Sequence, residues 1–305
     1  MSTSPTPIPA YLVDLVDDAA IFPPGNADLP TAVSAHREHQ QAAHADLVGP
    51  FVVSDVRIPE LITALDAAQS ATPLATSIVV TGGAGAIAGA VRWANGARRI
   101  ELRSLEFALR DEADLVHNAR RVTAALDELL SAGELDEDVA VYIEPPRLFG
   151  AAPTHSWLGA LDEVAAAGYR LKLRTGGLDA DAFPGSAEVA TWVETALDRE
   201  LAFKCTAGLH HAVRHRDEDT GFVQHGFLNV LLTTRASLDG ATPAELHDIL
   251  EESDLDAVTA RLDAAGSTAL VSARRWFTSF GSCSVTEPVH DLTALGLLDR
   301  DWEHA

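Results

Sequence analysis

The stretch "VAVYIEPPRLFGAAPTHSWLGALDEVAAAGYRLKLRTGG", residues 139–177, decides how the chain is read. It opens on "VAVYIEPP", an apolar run cut off by two prolines, which have no place inside a sheet ladder. It continues through "HSWLGALDEVAAAG", whose apolar residues recur at helical spacing, and closes on a second short run, "YRLKLRTGG". Strand, helix, strand at this spacing is the unit of a parallel sheet.

Working outward, the same alternation recurs. "AYLVDLV", "GPFVVSD", "TSIVVTGG" and "RRIELRS" precede the quoted stretch, and "LAFKCTAG" and "RWFTSFGS" follow it, which makes eight candidate strands. Helices are expected at "EADLVHNARRVTAALDELLSAG" and at "SAEVATWVETALDRE", the latter behind the start signal of Pro184 and Ser186. Eight strands separated by helices fit a (β/α)8 TIM barrel, usually of about 250 residues. Residues 1–305 read as a single barrel domain, with a helical insertion between strands seven and eight over "GFLNVLLTTRAS", "PAELHDILEES" and "LDAVTARLDAAG". An open doubly wound sheet is the other topology the pattern allows.

Composition narrows the function. The net charge of −23, from 45 acids and 22 bases, argues against nucleic acid, whose phosphates need a basic surface. No apolar run is long enough to cross a membrane, and "MSTSPTPIPA" lacks the pattern of a signal peptide, so a cytoplasmic protein is expected, with a homo-oligomer allowed. Cys205 and Cys283 are too few for a disulfide framework and read as packing residues. "TGGAGAIAGA" at 81–90 is not the G-x-G-x-x-G of a dinucleotide loop.

Twenty of the 22 basic residues are arginines; the two lysines are Lys172 and Lys204, on candidate strands six and seven. Lysine can lose its proton and attack a carbonyl, which guanidinium cannot. Alternate residues of a barrel strand point inward, and the C-terminal strand ends carry the active site. By that parity Glu101 with Arg103, Tyr142 with Glu144, Lys172 with Arg174, and Lys204 with Thr206 each share a face. Glu101, Arg103, Glu144, Lys172, Arg174 and Lys204 are therefore expected at one mouth. An amine of ordinary pKa near ~10.4 needs its proton affinity lowered to act as a nucleophile. Burial and the like charges of Arg174 and Lys204 would do so for Lys172. Lys172 is the candidate for a Schiff base, Lys204 its neighbour, and Glu101 or Glu144 the proton-transfer group. Asp14, Asp17 and Asp18 offer a further carboxylate from strand one, of undetermined parity.

These residues resemble deoxyribose-phosphate aldolase, a class I aldolase. "KLRTG" (Lys172, Thr175, Gly176) is similar to that family's K-x-x-T-G on strand six, and "FKCTAG" (Phe203, Lys204, Gly208) to its F-K-x-x-G-G on strand seven, with one residue more before the glycine. The resemblance covers strands four to seven and implies a Schiff-base lysine at Lys172, a second lysine at Lys204, and an acid on strand four, for which "GARRIELRS" offers Glu101. Arg174 and "AGLHH" depart from the pattern, as does the insertion before strand eight. "FPP" and "TAGLHH" also resemble a group of actinobacterial barrel proteins, which implies no activity.

Around the lysines, Gly176, Gly177, Gly208, Gly281, Ser282 and Ser284 stand where barrels bind phosphate through backbone N–H groups, or are simply tight turns. A small phosphorylated or carboxylated carbonyl compound would suit them together with Arg174. His210, His211, His215 and His225, with Asn229, either orient substrate and move protons or, through His210, His211 and Glu144, hold a divalent metal. No cofactor is expected on the first reading. A metal-assisted lyase or isomerase whose lysines only bind an anion is the alternative, and a non-catalytic metabolite-binding barrel a further one.

Overall fold

A computed structural model describes residues 8–69, 72–110 and 113–299. Seven strands come first: β1 (Val16–Asp18), β2 (Val48–Ser54), β3 (Leu74–Val80), β4 (Ile100–Ala108), β5 (Ala140–Glu144), β6 (Arg170–Arg174) and β7 (Phe203–Thr206). A small antiparallel ribbon, β8 (His215–Arg216) and β9 (Val223–Gln224), precedes the last strand, β10 (Phe277–Ser282). The seven strands and β10 close into a parallel barrel in the order β1-β10-β7-β6-β5-β4-β3-β2, which excludes the open sheet.

Helices α1 (Leu29–His39), α2 (Ile58–Ala68), α3 (Ile87–Gly96), α4 (Leu115–Ser131), α5 (His155–Ala166) and α6 (Ser186–Asp198) each follow one strand. The insertion before β10 holds α7 (Phe227–Leu238), α8 (Pro243–Glu251), α9 (Leu255–Ala265) and α10 (Ser267–Arg274), and α11 (Thr286–Ala294) follows β10. Their starts are written locally. Asp28, Asp114, Thr154 and Asp254 each accept a backbone N–H from the first turn, and Thr242 with Glu245 forms a capping box.

Strand alternation sorts side chains into two cores. Ile78, Leu105, Phe107, Ile143, Leu171, Leu173, Phe203 and Phe280 are buried in the layer between barrel and helices. The barrel interior is different. Beside Val52 and Val79 it carries Ser77, Ser104 and Ser279, all buried, whose small hydroxyl side chains leave room for long ones to reach across the axis.

Two strands differ from their sequence reading, and both differences matter to the site. The expected strand "AYLVDLV" begins instead with a 3-10 turn over Ala10–Leu12, Asp14 has a left-handed φ of 49°, and only Val16–Asp18 pairs. β4 runs four residues beyond "RRIELRS" and is bulged: Thr76 faces Leu102 while Ser77 faces Ser104, so Arg103 is one residue too many. Parity inverts across a bulge. Glu101 pairs with Ala75 and keeps the face of Ser104, but at the N-terminal start of the strand, the end opposite the mouth, where it is bonded to Arg103 at 3.0 Å and is 52% exposed. The expectation that they enter the mouth is corrected on that ground.

Candidate active site

The bulge turns Glu106 to the axis, while Glu101 stays at the foot of the strand. "SLEF" alternates polar and apolar residues, so Ser104 and Glu106 face the axis while Leu105 and Phe107 enter the outer core. Glu106 is 1% exposed and sits between the two lysines. Its Oε2 is 2.9 Å from Lys172 Nζ and its Oε1 2.6 Å from Lys204 Nζ, while Ser77 Oγ donates to Oε1 at 2.8 Å. Lys172 and Lys204 are cross-strand partners on β6 and β7, which places both amines at one level.

Each lysine has a second carboxylate. Lys204 donates to Asp17, whose Oδ2 also accepts from Ser279 at 2.9 Å; Gly49 makes room for this, since a Cβ there would stand 2.5 Å from Asp17 Oδ1. Of the three aspartates near strand one, Asp17 alone turns inward: Asp18 faces α1, 2.9 Å from His36 Nδ1. Lys172 Nζ lies 3.3 Å from Glu144 Oε2, and Arg174 donates to Glu144 Oε1 at 2.8 Å. Glu144 Oε2 is buried with no hydrogen bond aligned to it. Three carboxylates thus alternate with three cations along one line: Asp17, Lys204, Glu106, Lys172, Glu144, Arg174.

This alternation fixes protonation at the inner end. Burial disfavours the Lys204 ammonium, but Asp17 and Glu106 outweigh it and raise the amine above its ordinary value. Burial likewise opposes the Glu106 carboxylate, and Lys172 and Lys204 together hold it well below the usual carboxylate range. The sequence expectation that Lys204 acts on Lys172 as a bare like charge is corrected here. Glu106 stands between them, so the two ammoniums share a carboxylate. Below, the Tyr142 ring lies 5.3 Å from Lys204 Nζ, and its hydroxyl meets Thr278 at 3.0 Å.

Above the lysines a cavity of about 600 Å³ opens at the C-terminal strand ends. Lys172, Lys204, Arg174, Thr206, Gly177, Gly208, Gly281, His210 and His211 line it, as expected, together with the unexpected Glu106 and Cys283. Other expected residues serve the frame. Thr175 is fully buried and bonds Ala207 O at 2.6 Å. Gly176 and Gly208 bring two main chains together, since a Cβ on Gly176 would stand 2.7 Å from Gly208 Cα, and Gly208 has a φ of +70°. His225 Nε2 meets Pro184 O at 2.9 Å; Asn229 ties Arg214 N to Ile249 O and Glu252 O. Ser282 Oγ donates to Ser284 O, and Ser284 Oγ accepts Glu287 N at the start of α11.

The histidines lean on α11. His210 Nδ1 is 2.9 Å from Glu287 Oε2, with Cys283 Sγ 3.8 Å from the ring; His211 Nδ1 is 3.1 Å from Asp291 Oδ2. Glu144 is bound to Lys172 and Arg174 instead, so the three proposed metal ligands are each engaged apart. Among the described residues no group of three or more His, Cys, Asp or Glu side chains is arranged to hold a metal ion. Burial disfavours protonation of His210, but its bonds to Cys283 and Glu287 prevail and raise it to about 10. The charge on this imidazole therefore stabilises the fold fully below its ordinary value, and that contribution fades as pH rises through about 10. Ring-proton NMR is expected to show His210 protonated at pH 8.5, and Glu287→Gln to lower its midpoint by more than one unit; a wild-type midpoint near 6.5 would contradict the pairing.

No family model and no curated protein matches the chain. A solved structure, the tetrameric deoxyribose phosphate aldolase from Aeropyrum pernix, superposes with a TM-score of 0.54 over 94% of this chain and 93% of that one, at 11% identity. That likeness shows the (β/α)8 fold. Among the described residues no helix is long and apolar enough to cross a membrane.

Proposed function

We propose that the protein is a carbon–carbon lyase of the class I aldolase type, in which Lys172 forms an imine with a small carbonyl compound. The observation that carries this reading is the paired lysines, in register on β6 and β7 at the cavity floor with Glu106 between them. Lysines kept only to bind an anion would not be given two carboxylates each. The fold likeness to an aldolase supports the class of chemistry.

Lys172 is the nucleophile because Lys204 is held as an ammonium by Asp17 and Glu106. Glu144 Oε2, 3.3 Å away and without a hydrogen bond, takes the proton from the Lys172 ammonium. The freed amine adds to the carbonyl carbon; the resulting hydroxyl is protonated and leaves as water, giving an iminium ion. In the cleavage direction a carboxylate removes the proton of the β-hydroxyl, the Cα–Cβ bond breaks, and its electron pair moves into the iminium to form an enamine and release an aldehyde. Protonation of the enamine carbon and addition of water then return the amine. Lys204 keeps Glu106 ionised throughout, which preserves the charge opposite the forming iminium. An assembly of identical chains belongs to the same proposal.

The test is reductive trapping. Borohydride added with short aldehydes or ketones is expected to leave a mass increment on the peptide bearing Lys172. Turnover with Lys172 unmodified would exclude the imine.

A further inference from the structure

The sequence points toward an anionic or phosphorylated substrate; the walls of the cavity point elsewhere. From them we infer that the carbonyl compound is uncharged and hydroxylated, a free sugar or hydroxyaldehyde and not its phosphate ester. The inference rests on the reading of this cavity as the substrate site.

Among the described residues, every cation in the wall is already in contact with a carboxylate. Lys172 meets Glu106 and Glu144, Lys204 meets Asp17 and Glu106, and Arg174 meets Glu144. His210 meets Glu287, and His211 meets Asp291. A phosphate entering here would have to break one of these pairs or bind beside its carboxylate. Between Gly176 and Gly208 there is no place for a phosphate, because they are packed main chain to main chain.

The polar groups not paired to a cation are of the opposite kind. Gln224, on β9, lines the cavity and is only 8% exposed, yet its Oε1 has no hydrogen-bond partner. A buried amide without a partner is costly unless something fills the place, and a substrate hydroxyl fills it with the amide in either orientation, being both donor and acceptor. Asp217, whose Oδ1 already accepts from Thr220, and Asp219, both from the turn joining β8 and β9, add two carboxylates at the mouth. They accept from hydroxyls and repel a dianion. Phe22, Phe183 and Phe222 complete the wall with apolar surface suited to the C–H face of a sugar or a short alkyl chain.

Binding of matched pairs to the full-length protein tests this. Glyceraldehyde against glyceraldehyde 3-phosphate, and erythrose against erythrose 4-phosphate, are compared by saturation-transfer NMR competition, which reads binding whether or not an imine forms. The unphosphorylated member is expected to bind at least ~10-fold more tightly in each pair, about 1.4 kcal/mol. An Asp217→Asn, Asp219→Asn double variant should narrow the gap at least ~3-fold. Equal or tighter binding of the phosphate esters overturns the inference, as does the failure of both members of both pairs to bind. Borohydride trapping in parallel reports separately on the lysine: a bound free sugar with no adduct at Lys172 would overturn the imine and leave the substrate class standing.

Discussion

Replacing Lys172 by arginine is expected to reduce turnover by on the order of 10⁴-fold or more and to abolish the borohydride adduct, with the barrel still folded. The reason is chemical. Guanidinium keeps the positive charge that Glu106 and Glu144 require, so the buried carboxylates stay paired. It cannot give up its proton to become a nucleophile. Circular dichroism and a melting curve check that the fold survives, and steady-state rates check the loss. Retention of more than about one per cent of wild-type turnover would show that the lysine acts through its charge alone.

The second large effect is structural. Glu106→Gln keeps shape and removes the one carboxylate shared by both lysines. Lys204 keeps Asp17 and Lys172 keeps Glu144, so the loss is that of the shared charge-assisted bonds, about 2–3 kcal/mol, which for a chain of this size lowers the melting temperature by roughly 3–5 °C. The pH dependence has a definite sign. Glu106 has its carboxyl depressed in the fold, so its contribution is present above the ordinary carboxylate range and is lost as pH falls below it. Lys204 has its amine raised, so its contribution is present below the ordinary lysine range and is lost as pH climbs beyond it. In the variant the acid-side loss should shrink by the share of Glu106, because that titrating group is gone. Denaturant unfolding between pH 3 and pH 11.5, wild type against variant, follows both; equal stability of the two proteins at neutral pH would contradict the geometry.

Much of the site is legible because parity holds wherever a strand is regular. On β5, β6 and β7 the period of two carries Tyr142, Glu144, Lys172, Arg174, Lys204 and Thr206 to the inside from the sequence alone. On β4 one extra residue at Arg103 reverses the faces, and the acid moves from Glu101 to Glu106. A signal for this exists in the sequence: "SLEF" continues the alternation past the point where "RRIELRS" stops. Likewise "VDD" holds two adjacent carboxylates, and only pairing with β10 and the space left by Gly49 decide that Asp17 enters the barrel while Asp18 meets His36.

The glycines and histidines were the least legible because their roles depend on distant partners. Whether a Gly-rich turn cradles phosphate or lets two main chains touch depends on what stands opposite, here Gly208 against Gly176, 32 residues apart. Whether His210 binds metal, substrate or a carboxylate depends on α11, which brings Glu287 to it from 77 residues away.

The sequence by itself determined the eightfold alternation of strand and helix, the insertion before the last strand, and the two lysines on neighbouring strands, because periodicity and residue choice are local properties. The tertiary structure alone decided which carboxylates meet those lysines and that, among the described residues, no cation in the cavity wall is left without one. Ion pairs form across strands far apart in the chain, and a single bulged residue reassigns them.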